Sequence, residues 1–168
     1  LAGTVLTGII QSSSASVGIL QALSVTGAVS YAAAIPIIMG QNIGTTVTAM
    51  LSSVGTNKNA KRAAVVHLMF NVIGVVMLLT VFCIIKAIFA PALLNEPATR
   101  AGIAVAHSVF NILCTAMLLP AGNLLEKLAI RMVPDEKQDQ KTVELDERLL
   151  ATPSIALRQS RAVATEMA

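Results

Sequence analysis

The stretch GIIQSSSASVGIL, residues 8–20, sets one glutamine and three consecutive serines between aliphatic runs. Serine hydroxyls both donate and accept hydrogen bonds, and glutamine offers a carbonyl oxygen and an amide donor. Gln11, Ser12, Ser13 and Ser14 can therefore ligate a cation or hold an oxyanion without a charge of their own. A second stretch, GQNIGTTVTAM from Gly40, repeats that chemistry with Asn42, Thr45, Thr46 and Thr48. Gly40 and Gly44 permit close backbone approach or positive φ, and threonine hydroxyls supply hard oxygens that suit alkali ions.

Each stretch alone reads as a Ser/Thr/Gly-rich helix contact as readily as a site. Two of them, about thirty residues apart and both expected at breaks between short apolar pieces, favour a binding site. A break at residues 11–14 leaves free N–H groups and a positive dipole end on the helix that follows, suited to a phosphate-like anion. Unwound carbonyls beside it suit sodium.

The elements that must position these groups are membrane helices. The chain is 55% hydrophobic, 12% charged and 3% aromatic, with a mean hydropathy of +0.74. Its apolar residues lie in long uncharged runs rather than amphipathic stripes. Residues 63–85 and 101–125 contain no Lys, Arg, Asp or Glu, and each can supply the roughly 20 apolar residues of a bilayer span. Spans are expected near 64–85 and 101–121. Upstream the pieces are shorter: 1–10 apolar, 15–29 mostly apolar, 32–40 apolar with Pro36 inside, and 49–54 mixed. None is a span by itself, so re-entrant or discontinuous helices are expected, with interruptions at 11–14 and 41–48. The first residue is an apolar Leu1, and the chain is expected to be a piece of something longer.

Residues 1–133 hold seven basic residues against two acidic, and the remainder five against seven. Lys58, Lys61 and Arg62 precede one span, and Lys127 and Arg131 follow the next, two crossings away. The positive-inside rule places both groups, and the tail from Pro134 onward, in the cytoplasm. No basic face is interleaved with aromatics, which argues against nucleic acid. Cys83 and Cys114 lie in apolar runs without metal-ligand spacing and read as small buried hydrophobes.

One repeat is plain. HLMFNVIGVVMLL begins at His67 and HSVFNILCTAMLL at His107. On successive spans the copies run in opposite directions, as in inverted-repeat transporters. His67 with Asn71, and His107 with Asn111, stand at i and i+4 on one helix face, and the expectation is hydrogen bonding across a helix interface.

QSSSA, then GQNIGTTVTA, then HLMFN together resemble the second repeat of the type II sodium/phosphate cotransporter family, whose bacterial members carry a PhoU-like cytoplasmic domain. The resemblance covers nearly the whole chain, and LDERLLATPSIAL is similar to the start of that domain. It implies an all-α membrane protein, half of an inverted-repeat transporter, with a membrane repeat over 1–133 and a cytoplasmic linker and soluble helical tail over 134–168. It also implies sodium-coupled transport of inorganic phosphate, with Gln11, Ser12, Ser13, Ser14, Asn42, Thr45, Thr46 and Thr48 as the substrate and sodium ligands. The resemblance implies sodium as the coupling ion, with no other cofactor or metal. The implied partners are the lipid bilayer of the cell (inner) membrane and an upstream repeat or second copy, because QSSS occurs once here.

Two rivals differ in class. An intramembrane hydrolase would use a serine from 12–14 with His67 or His107 as base, but no Gly-x-Ser-x-Gly turn and no membrane carboxylate support it. A membrane-anchored sensor acting through its tail would make both polar stretches ordinary packing.

Overall fold

The computed structural model describes residues 1–134 together with 157, 158 and 161. The soluble helical tail expected over 134–168 otherwise lies outside the described residues. The chain divides into two compact units, Leu1–Pro134 and Asp135–Ala168, and the first carries the site.

Two short helices open it, α1 (Ala2–Ile10) and α2 (Ser13–Ser24). The break between them falls where the sequence places it. Gln11 adopts the left-handed conformation, φ 57° and ψ 24°, and its N–H donates to Thr7 O. Ser12 is extended, and its Oγ accepts from Ala15 N at 3.3 Å, capping α2. A left-handed non-glycine residue costs roughly 1–2 kcal/mol, which the packing of both helices must offset. At 1.5 Å per residue α1 and α2 are about 14 and 18 Å long, each well short of a ~30 Å hydrocarbon core.

The second interruption does not exist. α3 (Tyr31–Ser52) runs unbroken through Pro36, Gly40 and Gly44, and at 22 residues it is long and apolar enough to span. Its polar residues are compatible with a helix because they bond within it. Asn42 Nδ2 donates to Ile38 O at 3.0 Å, Thr45 Oγ1 to Asn42 O at 2.6 Å, and Thr46 Oγ1 to Ile43 O at 2.7 Å. The glycines serve close approach instead of breaks, as small residues do in membrane helix pairs. A Cβ on Gly3 would strike Ile37 O, and one on Gly44 would lie 2.6 Å from both Thr4 O and Thr7 Cβ. Thr4 Oγ1 donates to Gly40 O at 3.0 Å.

From these contacts α1 runs parallel to α3. α2 runs antiparallel to it, with Ser16 at the level of Gln41 and Leu20 packed with Ala34 and Ile38. The pair is a re-entrant hairpin whose turn at Gln11 and Ser12 stops within the length of α3.

α4 (Lys58–Phe89), capped by Asn57, contains the first expected span and extends it at both ends, while α5 (Arg100–Leu118), capped by Thr99, starts one residue before the second and ends three residues short of it. Gly74 of α4 meets Cys114 and Leu118 of α5, while Leu78, Val81 and Ile85 share a cleft with Val105 and Val109, so these helices are antiparallel. A 3-10 turn at Leu119–Ala121 leads into α6 (Gly122–Met132). Arg62 Nε donates to Val133 O at 3.0 Å, which puts the start of α4 and the end of α6 on one side, as the charges predict. The hairpin's far end is clipped to the α5 entrance: Ala98 N donates to Val29 O at 2.8 Å and Tyr31 N to Glu96 O at 3.1 Å.

Packing centres on two clusters, Leu20, Ala34, Ile38, Ala98 and Ile103, and Met39, Val75, Phe110 and Cys114. α4 and α5 also leave Val72, Val76, Val81, Ile84, Val105, Val109 and Ile112 exposed. An apolar surface of that extent belongs against lipid or protein rather than water.

Candidate functional site

A cavity of about 420 Å³ is lined by Ser13, Asn42, Thr45, His67, Phe70, Asn71, His107 and Asn111. Four elements supply them. Ser13 is the first residue of α2, immediately past the hairpin turn; Asn42 and Thr45 stand near the middle of α3; His67, Phe70 and Asn71 come from α4, His107 and Asn111 from α5. Apart from Phe70 every lining side chain carries a hydrogen-bonding group, and none is Lys, Arg, Asp or Glu. A larger cleft of about 460 Å³ between α3, α4 and α5 is almost wholly apolar, Tyr31 apart, and offers little to an ion.

The three asparagines share one geometry. Asn71 Nδ2 donates to His67 O at 3.0 Å and Asn111 Nδ2 to His107 O at 2.8 Å, as Asn42 Nδ2 does to Ile38 O. Because each partner is a carbonyl, the NH₂ of each amide must face it, which leaves three Oδ1 acceptors not used by their own helices. Donors come from the Ser13 hydroxyl, the two imidazoles and the first turn of α2, whose leading N–H groups have no intrahelical acceptor. The cavity thus combines carbonyl oxygens for a cation with N–H and O–H groups for an anion, and no carboxylate lines it to repel one.

Of the eight candidates from the two polar stretches, three line this cavity: Ser13, Asn42 and Thr45. Gln11 and Ser14 are exposed. Ser12 is spent on the cap, with its Oγ also 3.3 Å from Ser14 Oγ. Thr46 is buried at 1% exposure, and neither it nor Thr48 lines the cavity.

The His/Asn pairs differ from expectation. Among the described residues Asn71 and Asn111 bond back to their own helices rather than across an interface, and the α4/α5 contact is made by Gly74 against Cys114 instead. Their side chains are released for the cavity, where both copies of the repeat meet Ser13. The shared i, i+4 spacing was the sequence signal, but it does not say which way that face turns. No group of three His, Cys, Asp or Glu among the described residues forms a metal cluster.

A re-entrant hairpin against three apolar helices, with a polar cavity between them, defines an all-α membrane protein. The family described as Na+/Pi-cotransporter matches residues 1–118, and the chain belongs to that family. It is 36% identical over 136 residues to the uncharacterized protein YqeW of Bacillus subtilis, covering 80% of this chain and 43% of that one. It is 28% identical over 160 residues to the putative inorganic phosphate export protein YjbB of Salmonella typhimurium, covering 94% and 29%. It is 41% identical over 85 residues to the sodium-dependent phosphate transport protein 2B of Homo sapiens, covering 47% and 12%. The chain therefore spans less than half the length of these relatives. No solved structure matches it. The family is one of transporters, not enzymes, which removes the hydrolase reading.

Proposed function

We propose that this chain supplies one half of a site that carries inorganic phosphate across the cell membrane together with sodium. The observation that carries the reading is the cavity where Ser13, at the hairpin turn, meets Asn42, Thr45, His67, Asn71, His107 and Asn111. The relatives' names support the substrate: sodium-dependent phosphate transport in one, inorganic phosphate export in another. Phosphate binds through the α2 N-terminus, the Ser13 hydroxyl and the imidazoles; the asparagine oxygens face the cation. The site is completed by the other half, an inverted upstream repeat or a second copy of this chain, which the exposed Gln11 and Ser14 meet at the hairpin turn. The loop before α4 and the end of α6 face the cytoplasm, with the tail from Pro134 opening a PhoU-like helical domain.

Net direction follows the gradients, since a carrier relaxes whichever imbalance is imposed. The test uses the full-length protein in proteoliposomes, with radiolabelled phosphate and an inward sodium gradient against an equal potassium gradient. Phosphate flux that requires sodium supports the reading. Equal flux in potassium removes the coupling, and no flux in either removes phosphate as the substrate.

A further inference from the structure

His67 lines two cavities, the polar one described above and a second of about 370 Å³. The walls of the second include Ala49 and Ser52 near the end of α3 and Ala60, Ala63 and Ala64 near the start of α4.

The two cavities follow one face of each helix. On α3 they take Asn42, Thr45, Ala49 and Ser52, and on α4 Asn71, His67, Ala64 and Ala60, at steps of three and four residues. Asn42 shares the first cavity with Asn71 and Ser52 shares the second with Ala60, so the helices are antiparallel and their faces enclose one furrow. From Asn42 to Ser52, at 1.5 Å per residue, it runs about 15 Å, half of a ~30 Å hydrocarbon core. It ends beside the exposed loop 54–57.

In the other direction the same two faces turn apolar. Met39 of α3 and Val75 of α4 pack with Phe110 and Cys114, and an ion passing there would shed its water for no partner. Toward the loop the walls are alanine and serine, whose short side chains leave the space open. Lys58, Lys61 and Arg62 stand at this end, with Glu126 of α6 sharing a small cavity with Arg62. The balance of these groups is positive and draws anions to the mouth.

We infer that the furrow between α3 and α4 is the inner vestibule through which phosphate and its cation pass between the cavity and the cytoplasmic side, with His67 at the throat. It rests on the transport reading and the topology proposed above. The structure is then open toward the loop and closed on the other side by Met39 and Val75.

The test places cysteines on the two walls, Ala63→Cys and Ser52→Cys, in full-length protein with Cys83→Ala. Inside-out and right-side-out membrane vesicles are treated with an impermeant, charged methanethiosulfonate. Labelling is read as a mass increase, and each variant's own sodium-driven phosphate flux before treatment is its reference. In inside-out vesicles both variants are expected to label and to lose most of their flux; in right-side-out vesicles both keep it. Lys127→Cys, exposed on α6 at the same end, labels and keeps its flux. Ala60→Cys takes the place of either wall variant that fails to insert. Labelling of either wall without loss of flux overturns the inference. So does failure of either to label from the inner side, the result expected if another part of the protein fills the furrow. Block from the outer side alone overturns the direction assigned to it. Absence of phosphate flux in the untreated wild type overturns the transport reading itself, a failure seen before any thiol is modified.

Discussion

Gly44→Ala tests whether the hairpin's seat on α3 positions the cavity. A Cβ at that position would sit 2.6 Å from Thr4 O, 2.6 Å from Thr7 Cβ and 3.0 Å from Gly8 N. Ordinary contact begins near 3.4 Å, so α1 must retreat from α3 by close to an ångström. The atoms in the way are largely backbone, which no rotamer change relieves. Overpacking of this kind costs about 1–3 kcal/mol, and the displacement passes along a nine-residue helix directly to the turn that holds Ser13. Purified full-length Gly44→Ala is expected to melt several degrees below wild type and to lose most sodium-dependent phosphate flux per folded molecule. Gly18→Ala, where an added Cβ meets nothing within 4 Å, is the matched control and leaves both unchanged. Gly44→Ala with wild-type melting temperature and flux would refute the claim that close α1/α3 contact places the turn.

Ser13→Ala removes a hydroxyl from the cavity and is expected to raise the phosphate concentration for half-maximal uptake by roughly tenfold to a hundredfold, with surface expression unchanged; an unaltered concentration dependence takes Ser13 out of the site. Thr46→Val replaces a hydroxyl bonded only to Ile43 O of its own helix, and uptake should keep its wild-type dependence on sodium and phosphate. A tenfold change there would show that the cavity extends past α3 to its opposite face. For topology, cysteines replacing the exposed Val54 and Leu93, in a Cys83→Ala background, should label from opposite sides of intact cells, Leu93 from outside and Val54 only after permeabilisation. Labelling of Val54 from outside would invert the assignment.

The break at Gln11 and Ser12, the two long spans and the opposed His/Asn copies are local properties, legible in one dimension. Four polar residues between apolar runs too short to cross a bilayer imply a turn at depth, and long uncharged stretches imply helices, whatever packs beside them. The stretch around Asn42 looks the same by composition, yet it is continuous helix, because Asn42, Thr45 and Thr46 turn their donors onto carbonyls three or four residues back. Pairing of that kind leaves no mark that separates it from a break. Gly40 and Gly44 were ambiguous for the same reason: a glycine that permits a turn and one that admits a neighbouring backbone are the same letter, and Thr4 and Thr7, thirty-six or more positions away, decide between them. Asn71 and Asn111 could equally have bonded to each other; Gly74 against Cys114 sets how α4 and α5 meet, and that contact leaves both amides facing the cavity. Residue type and spacing determine which groups share a helix face. Which faces meet, and so which oxygens converge on a common space, depends on contacts between residues distant in sequence, and these exist only once the helices have packed.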